Sequence, residues 1–165
     1  MCVERDYNIL YQMILYNILS MNIYRGIIIV PPHGGYIITG KKTLIIKSIK
    51  LNDIKDKPLL LIQSKVALGI IYLSSYTKIN ISQFNKLKHL HRITSEERNK
   101  WWKNKRVLYK YKITKVQKFE VPILINYKQG PQVLIKPRHI HKTQHIFIGT
   151  SGYKYSWWDK YSNFD

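Results

Sequence analysis

Along the first twenty residues, Ile9, Leu10, Met13, Ile14 and Ile18 recur at helical spacing, which predicts a short amphipathic helix over residues 6–20. Read differently, translation starts at Met21 and the segment is an extension without a role. From Tyr24 the pattern shortens to β-type runs. Ile27–Val30 stops at Pro31-Pro32, which cannot continue a ladder. Thr43–Ile46, Pro58–Ile62 and Ala67–Leu73 follow, separated by polar or charged turns. Between the first two runs, His33–Gly40 reads as a tight turn and one helical turn.

Ser82–His91 then places Phe84, Leu87 and Leu90 on one side of a helix. A second helix starts at Thr94, whose hydroxyl caps the first turn while Glu97 reaches back from three residues on. Glu96 serves there as an acidic partner of the helix dipole. Val107, Tyr109, Tyr111 and Ile113 alternate with Leu108, Lys110 and Lys112, the pattern of a half-exposed strand. Val121–Ile125 and Val133–Ile135 are further short strands around a Gln129-Gly130-Pro131 turn, and His145–Ile148 starts another. Strands with two helices inserted among them predict an α+β fold, a small closed or nearly closed β-barrel with helical decoration. The expected divisions are an N-terminal extension over 1–22, a barrel over 23–140 and a short tail over 141–165.

Charge changes this picture. Twenty-eight Lys and Arg stand against nine Asp and Glu, a formal net charge of +19. Such an excess attracts polyanions from a distance. An AT-rich coding sequence accounts for Lys over Arg, but not for the scarcity of acids. Nucleic acid is therefore the first partner to consider, ahead of an anionic membrane or an acidic protein. The single Cys2 excludes an internal disulfide framework and a cysteine zinc ribbon. Asn8, Gln12 and Asn17 interrupt the first apolar run, so it offers no membrane span, and no basic leader precedes it. A cytoplasmic protein without membrane association is expected.

Three constellations bear on chemistry. Gly40-Lys41-Lys42-Thr43, continuing to Lys47, offers close backbone approach, two lysines and a hydroxyl to a phosphate or base edge. The glycine spacing of a P-loop is missing. Asn99–Lys118 carries eight Lys or Arg and no acid, with Trp101, Trp102, Tyr109 and Tyr111 interleaved. That mixture suits single strands, because bases stack on aromatic faces while phosphates pair with cations. One of the two tryptophans is expected in the core. His139-x-His141-x-x-x-His145 lacks an acid or cysteine to complete a metal shell, and reads as a basic connector. No metal or cofactor is expected, and no carboxylate pair or nucleophile elbow stands out.

Pro31-Pro32-His33-Gly34 with Gly40-Lys41-Lys42-Thr43-Leu44-Ile45-Ile46-Lys47 resembles the ASCH domain, a branch of the PUA-like superfamily. Ala67-Leu68-Gly69-Ile70-Ile71 and the block from His91-Arg92-Ile93-Thr94 through Glu97-Arg98 to Trp101-Trp102 are similar to a prokaryotic and viral subgroup, so the likeness spans roughly residues 25–138. The resemblance implies a PUA-like barrel with a cleft beside the Gly-Lys-Thr strand, and binding of RNA or modified nucleosides. Some small members are amidohydrolases of acylated cytidine that use a Lys, a Thr along the strand and a Glu. Lys42 matches that lysine, Ile45 stands where the threonine belongs, and no glutamate is matched. The tail from Ile146 to Trp158 resembles the opening of the YecE-like TIM-barrel family. Only that opening is present, which leaves a truncation, a fused or separate TIM-barrel partner, or a chance match.

The expected function is a non-catalytic nucleic-acid-binding module, with RNA or a modified nucleoside as ligand. His33, Gly34, Lys41, Lys42, Thr43 and Lys47 would contact phosphate or base edges, Trp101 or Trp102 would stack, and Arg92, Lys103, Lys105 and Arg106 would extend the electrostatic footprint. The alternative is a hydrolase on a nucleoside or RNA in the same cleft, using Lys42, Thr43 and His33.

Overall fold

The computed structural model describes residues 2–20, 23, 25–125 and 134–135. The chain opens on α1 (Cys2–Ser20) and continues through β1 (Gly26–Ile28), α2 (His33–Ile38), β2 (Leu44–Lys47), β3 (Leu59–Gln63), β4 (Val66–Leu73) and β5 (Thr77–Ile79). Three short helices follow, α3 (Ile81–Lys86), α4 (Lys88–His91) and α5 (Ser95–Trp102), then β6 (Leu108–Leu124) and β7 (Leu134–Ile135). The strands form one curled sheet in the order β2-β6-β4-β3-β1-β7. Its pairs are antiparallel except β1 with β3. This is the α+β fold expected from the alternation of short strands and inserted helices, with the sheet curled into a half-barrel where a closed or nearly closed one was expected.

β6 is the spine. Its first residues pair with β2 on one edge and with β5 on the other, since Lys110 faces both Ile46 and Thr77. Further along, Ile113 to Leu124 pair with β4. The pattern predicted two separate strands here, because the largely polar residues 114–118 break the apolar alternation. The ladder to β4 carries the strand through them as one 17-residue element with 114–118 exposed. The short β5 was not anticipated, and it too is held by its pairing with β6.

Leu59, Leu60, Leu61 and Ile62 are all buried because α1 covers one face of the sheet and α2 the other. A continuous apolar run is what burial on both faces requires. On the first face Leu60, Ile62 and Ile70 pack with Phe119, Val121 and α1. On the second, Leu59, Leu61 and Ile71 pack with Ile37, Ile45 and Tyr111. α1 buries Tyr11, Leu15 and Ile18, flanked by the half-buried Leu10 and Ile14, and leaves Ile9 and Met13 exposed. The helical period was legible, but the buried stripe is rotated from the one the Ile and Met positions suggested, because Tyr11 and Leu15 meet Phe119 and Val121.

The expected Ser82–His91 helix is two, since the chain breaks at Leu87. α4 ends at Arg92 in the left-handed conformation, φ 59°. α5 carries the anticipated capping box, Thr94 with Glu97. Under these helices Phe84, Ile93 and Leu108 form a third small core against Ile46 and Ile79.

Gly69 sits where β4 shifts register against β6, and a Cβ there would lie 2.4 Å from the Gln117 carbonyl oxygen. Backbone cannot yield as a side chain would. Gly69→Ala is therefore expected to cost about 1–3 kcal/mol. Chemical denaturation measures this, and a loss below about 0.5 kcal/mol would mean the strands part more easily than their register implies.

Candidate functional site

β2 is an edge of the sheet, and it is not hydrogen-bonded to β1. Between the two opens a cleft of about 300 Å³, walled by Ile29 and Val30 after β1, by residues 45–49 of β2 and its exit, and by Ile93, Trp101 and Trp102 of the helical segment. The buried His33 and Lys42 line it as well. Of the residues singled out from sequence, His33, Lys42, Lys47, Trp101 and Trp102 line this cleft together.

The others do not line it. The Gly34 amide donates to Gln63 Oε1 at 2.8 Å, and a Cβ at Gly34 would press on that same side chain, so this glycine seats α2 against β3. Thr43 is exposed and spends its amide on the Leu90 carbonyl. Lys41 is exposed, and its carbonyl accepts from Arg92 Nε at 2.9 Å. Arg92 itself borders a separate shallow hollow with Lys86, Lys88 and His89. Lys103, Lys105 and Arg106 are exposed after α5. His139, His141 and His145 and the tail that resembles a TIM-barrel opening lie outside the described residues. No group of three metal-ligating side chains occurs among the described residues, and no described helix is long and apolar enough to cross a membrane.

Lys42 is only 4% exposed, and its ammonium donates to the His91 carbonyl. Burial, and then the nearby Lys47 charge, push its pKa down to about 7, against an opposing pull from Glu97. Lys47 reaches the Ile28 carbonyl at 3.5 Å across the mouth between β2 and β1, and burial pushes its pKa down to about 8. A buried cation without a carboxylate in contact is costly, and such groups cluster at functional sites.

Glu97 is the residue that sequence reasoning undervalued. One of its oxygens completes the capping box by accepting from the Thr94 amide at 3.1 Å. The other lies 2.5 Å from His33 Nε2. Burial tends to raise the Glu97 pKa, but the hydrogen bonds from His33 and Thr94 outweigh it and hold the carboxyl below its ordinary value. Burial, then the Lys42 charge, lowers His33, with Glu97 opposing. His33 is thus neutral near pH 7 and donates Nε2–H to the carboxylate, while its buried Nδ1 has no hydrogen-bond partner among the described residues. Capping explained only one carboxylate oxygen, and nothing in the local pattern reported that α2 would bring His33 to the second.

The indoles are held edge to face, with ring centres 5.6 Å apart, and Trp101 also stands edge-on to His33 at 5.8 Å. Both are half-buried, packing against the third core while presenting surface to the cleft. One buried and one partly exposed indole was expected; instead the two share both duties, because α5 ends at the cleft rim. Ser48 brings the one hydroxyl among the lining side chains, and Ile45 is part of the apolar wall.

No family model matches the sequence, and no curated protein matches it. Among solved structures the chain is similar to the ASCH protein of Zymomonas mobilis, at 15% identity and a TM-score of 0.56 over 68% of this chain and 85% of that one. A tyrosine-to-phenylalanine variant of that protein gives 15% identity and 0.58 over 68% and 88%, and a serine-to-alanine variant 17% and 0.57 over 68% and 86%. The chain therefore has the ASCH fold, as its Gly-Lys-Lys-Thr strand and helical blocks suggested.

Proposed function

We propose that this ASCH-fold chain binds single-stranded nucleic acid, RNA above all, by receiving one unstacked base or nucleoside in the cleft between β2 and the end of α5. One observation carries the reading: two lysines and two indoles converge on a single concave surface of about 300 Å³. That volume is at the small end of ligand pockets. It admits a base splayed out of a strand and excludes a duplex. The indoles supply flat apolar surface for stacking, Lys42 and Lys47 supply donors and charge for a carbonyl edge or phosphate, and the net charge of +19 draws the polyanion in.

Trp102→Ala is expected to weaken binding of a short single-stranded RNA by roughly 5- to 100-fold, the range for one base–aromatic stack, while Trp102→Phe keeps most of it. Fluorescence anisotropy across a salt series should also show affinity falling with a log–log slope near −0.7 per phosphate contact. Affinity indifferent to both salt and Trp102 would overturn the reading.

The Lys42, His33 and Glu97 arrangement favours one second reading, hydrolysis of an acylated nucleoside in the same cleft. A lysine titrating near 7 and a carboxylate held ionised suit proton transfer to and from a reacting group. Water would add to the acyl carbon and the C–N bond would break, releasing acid and free amine. Turnover of acylated cytidine that Glu97→Gln abolishes would establish it.

A further inference from the structure

The three-stranded part of the sheet around the start of β6 carries a second assembly of rings and cations. In register, Lys47 of β2 stands opposite Tyr109 of β6, and Tyr109 stands opposite Lys78 of β5. Directly opposed residues point to the same face, so these three side chains form a row across three strands, roughly 10 Å from end to end. The row begins at a cleft residue, Lys47, and ends at the exposed Lys78.

Tyr76, from the turn between β4 and β5, stands edge to face against Tyr109 with ring centres 5.4 Å apart at 89°. Tyr109 is packed against the second core, so it is a fixed support, and Tyr76 above it remains 41% exposed. Lys50 places its ammonium 5.2 Å from the Tyr76 ring centre and 5.9 Å from that of Tyr109. Its position is set by Tyr111. That buried hydroxyl accepts from the Leu51 amide at 2.7 Å and donates to the Ile49 carbonyl at 3.4 Å, which pins the chain on both sides of Lys50. Ile49 itself lines the cleft. The cleft and the tyrosine pair thus meet along a continuous surface.

We infer that the Tyr76–Tyr109 pair with Lys50 is a second nucleotide station, on which the base next to the one in the cleft stacks against Tyr76 while its phosphate pairs with Lys50. The inference rests on the proposed binding in the cleft and extends it from one base to a length of strand. A ring held rigid before the ligand arrives loses little entropy on stacking, and a cation already poised at its face suits the phosphate that follows the base. The three cations of this surface, Lys47, Lys50 and Lys78, match a strand and not a lone base.

The test compares two probes on the full chain: a pyrimidine nucleoside 5′-monophosphate, read by calorimetry, and a labelled pyrimidine hexaribonucleotide, read by anisotropy. Tyr76→Ala is expected to weaken the hexamer by roughly 5- to 100-fold and to leave the mononucleotide within about twofold, with Tyr76→Phe retaining both. Tyr76 is an exposed turn residue, so the variant is expected to fold; a thermal midpoint matching the wild type verifies this. A hexamer affinity unmoved by Tyr76→Ala, or an equal loss for both probes, overturns the second station while mononucleotide binding keeps the cleft reading. Hexamer binding that depends on Tyr76 but not on Trp102 removes the cleft reading and keeps the station. If neither probe binds, both fall.

Discussion

Replacing Lys42 with methionine should make the protein more stable and a poorer binder, raising the thermal midpoint by roughly 3–10 °C and weakening single-stranded RNA at least about tenfold. The lysine is 4% exposed and its pKa has fallen from 10.5 to about 7. At about 1.4 kcal/mol per pKa unit, holding that amine in the fold costs on the order of 3–5 kcal/mol. Methionine fills similar volume without the charge. It does leave the His91 carbonyl without the lysine donor, a loss of about 2 kcal/mol, so the net gain is about 1–3 kcal/mol. The pH dependence has a definite sign. Because the folded pKa lies below the unfolded one, the penalty is complete below about pH 7, shrinks as pH rises, and is gone above 10.5. The advantage of Lys42→Met should therefore narrow between pH 7 and pH 10. Scanning calorimetry at several pH values decides the matter. A midpoint that drops by several degrees would make Lys42 a structural tie to His91 and remove it from the binding site.

Raising the pH from 6 to 9 should weaken binding of the same RNA by roughly 10- to 100-fold at constant ionic strength. Lys42 and Lys47 both carry lowered pKa values, about 7 and about 8, so both are charged at pH 6 and largely neutral at pH 9. A phosphodiester does not titrate in this window, and a strand of adenine and cytosine alone has no base that loses a proton in it, so with that probe the change belongs to the protein. A bound phosphate favours the charged amines, which moves the midpoint in the complex above that of the free protein. The Lys42→Met, Lys47→Met double variant should be weak and flat over the same range. A wild-type profile equally flat would show that the anion is held elsewhere, by the exposed Lys and Arg whose charge persists.

Several parts of the fold could be read directly. The capping box at Thr94 and Glu97 follows from local chemistry, and it is where the pattern put it. The apolar runs Pro58–Ile62 and Ala67–Leu73 read as strands, and β3 and β4 lie there because their neighbours bury both faces. The apolar alternation lapses over residues 114–118 and so divides β6 in two, and only the partner strand β4 makes them a ladder. At the site, Lys42 and Lys47 were visible as a basic motif, yet nothing local separated them from Lys41, which is the immediate neighbour of Lys42 and lies outside the cleft. The odd spacing of Lys42 and Lys47 means strand alternation does not pair them; the approach of α4, whose His91 carbonyl holds Lys42, and of β1, whose Ile28 carbonyl meets Lys47, does. Ser48 and Tyr76 carried no recognisable pattern, since an isolated hydroxyl or ring in a turn is ordinary.

What the chain alone determined is whatever depends on near neighbours: periodicity, capping, the places where strands must end, and a charge balance that favours a polyanionic partner. The tertiary structure decided which of many lysines gives up its water, which oxygen of Glu97 meets His33, and that two indoles and two amines share one hollow. Desolvation and long-range contact are properties of where distant segments come to rest, and in this protein α2, β2 and α5 supply them from between His33 and Trp102 of the chain.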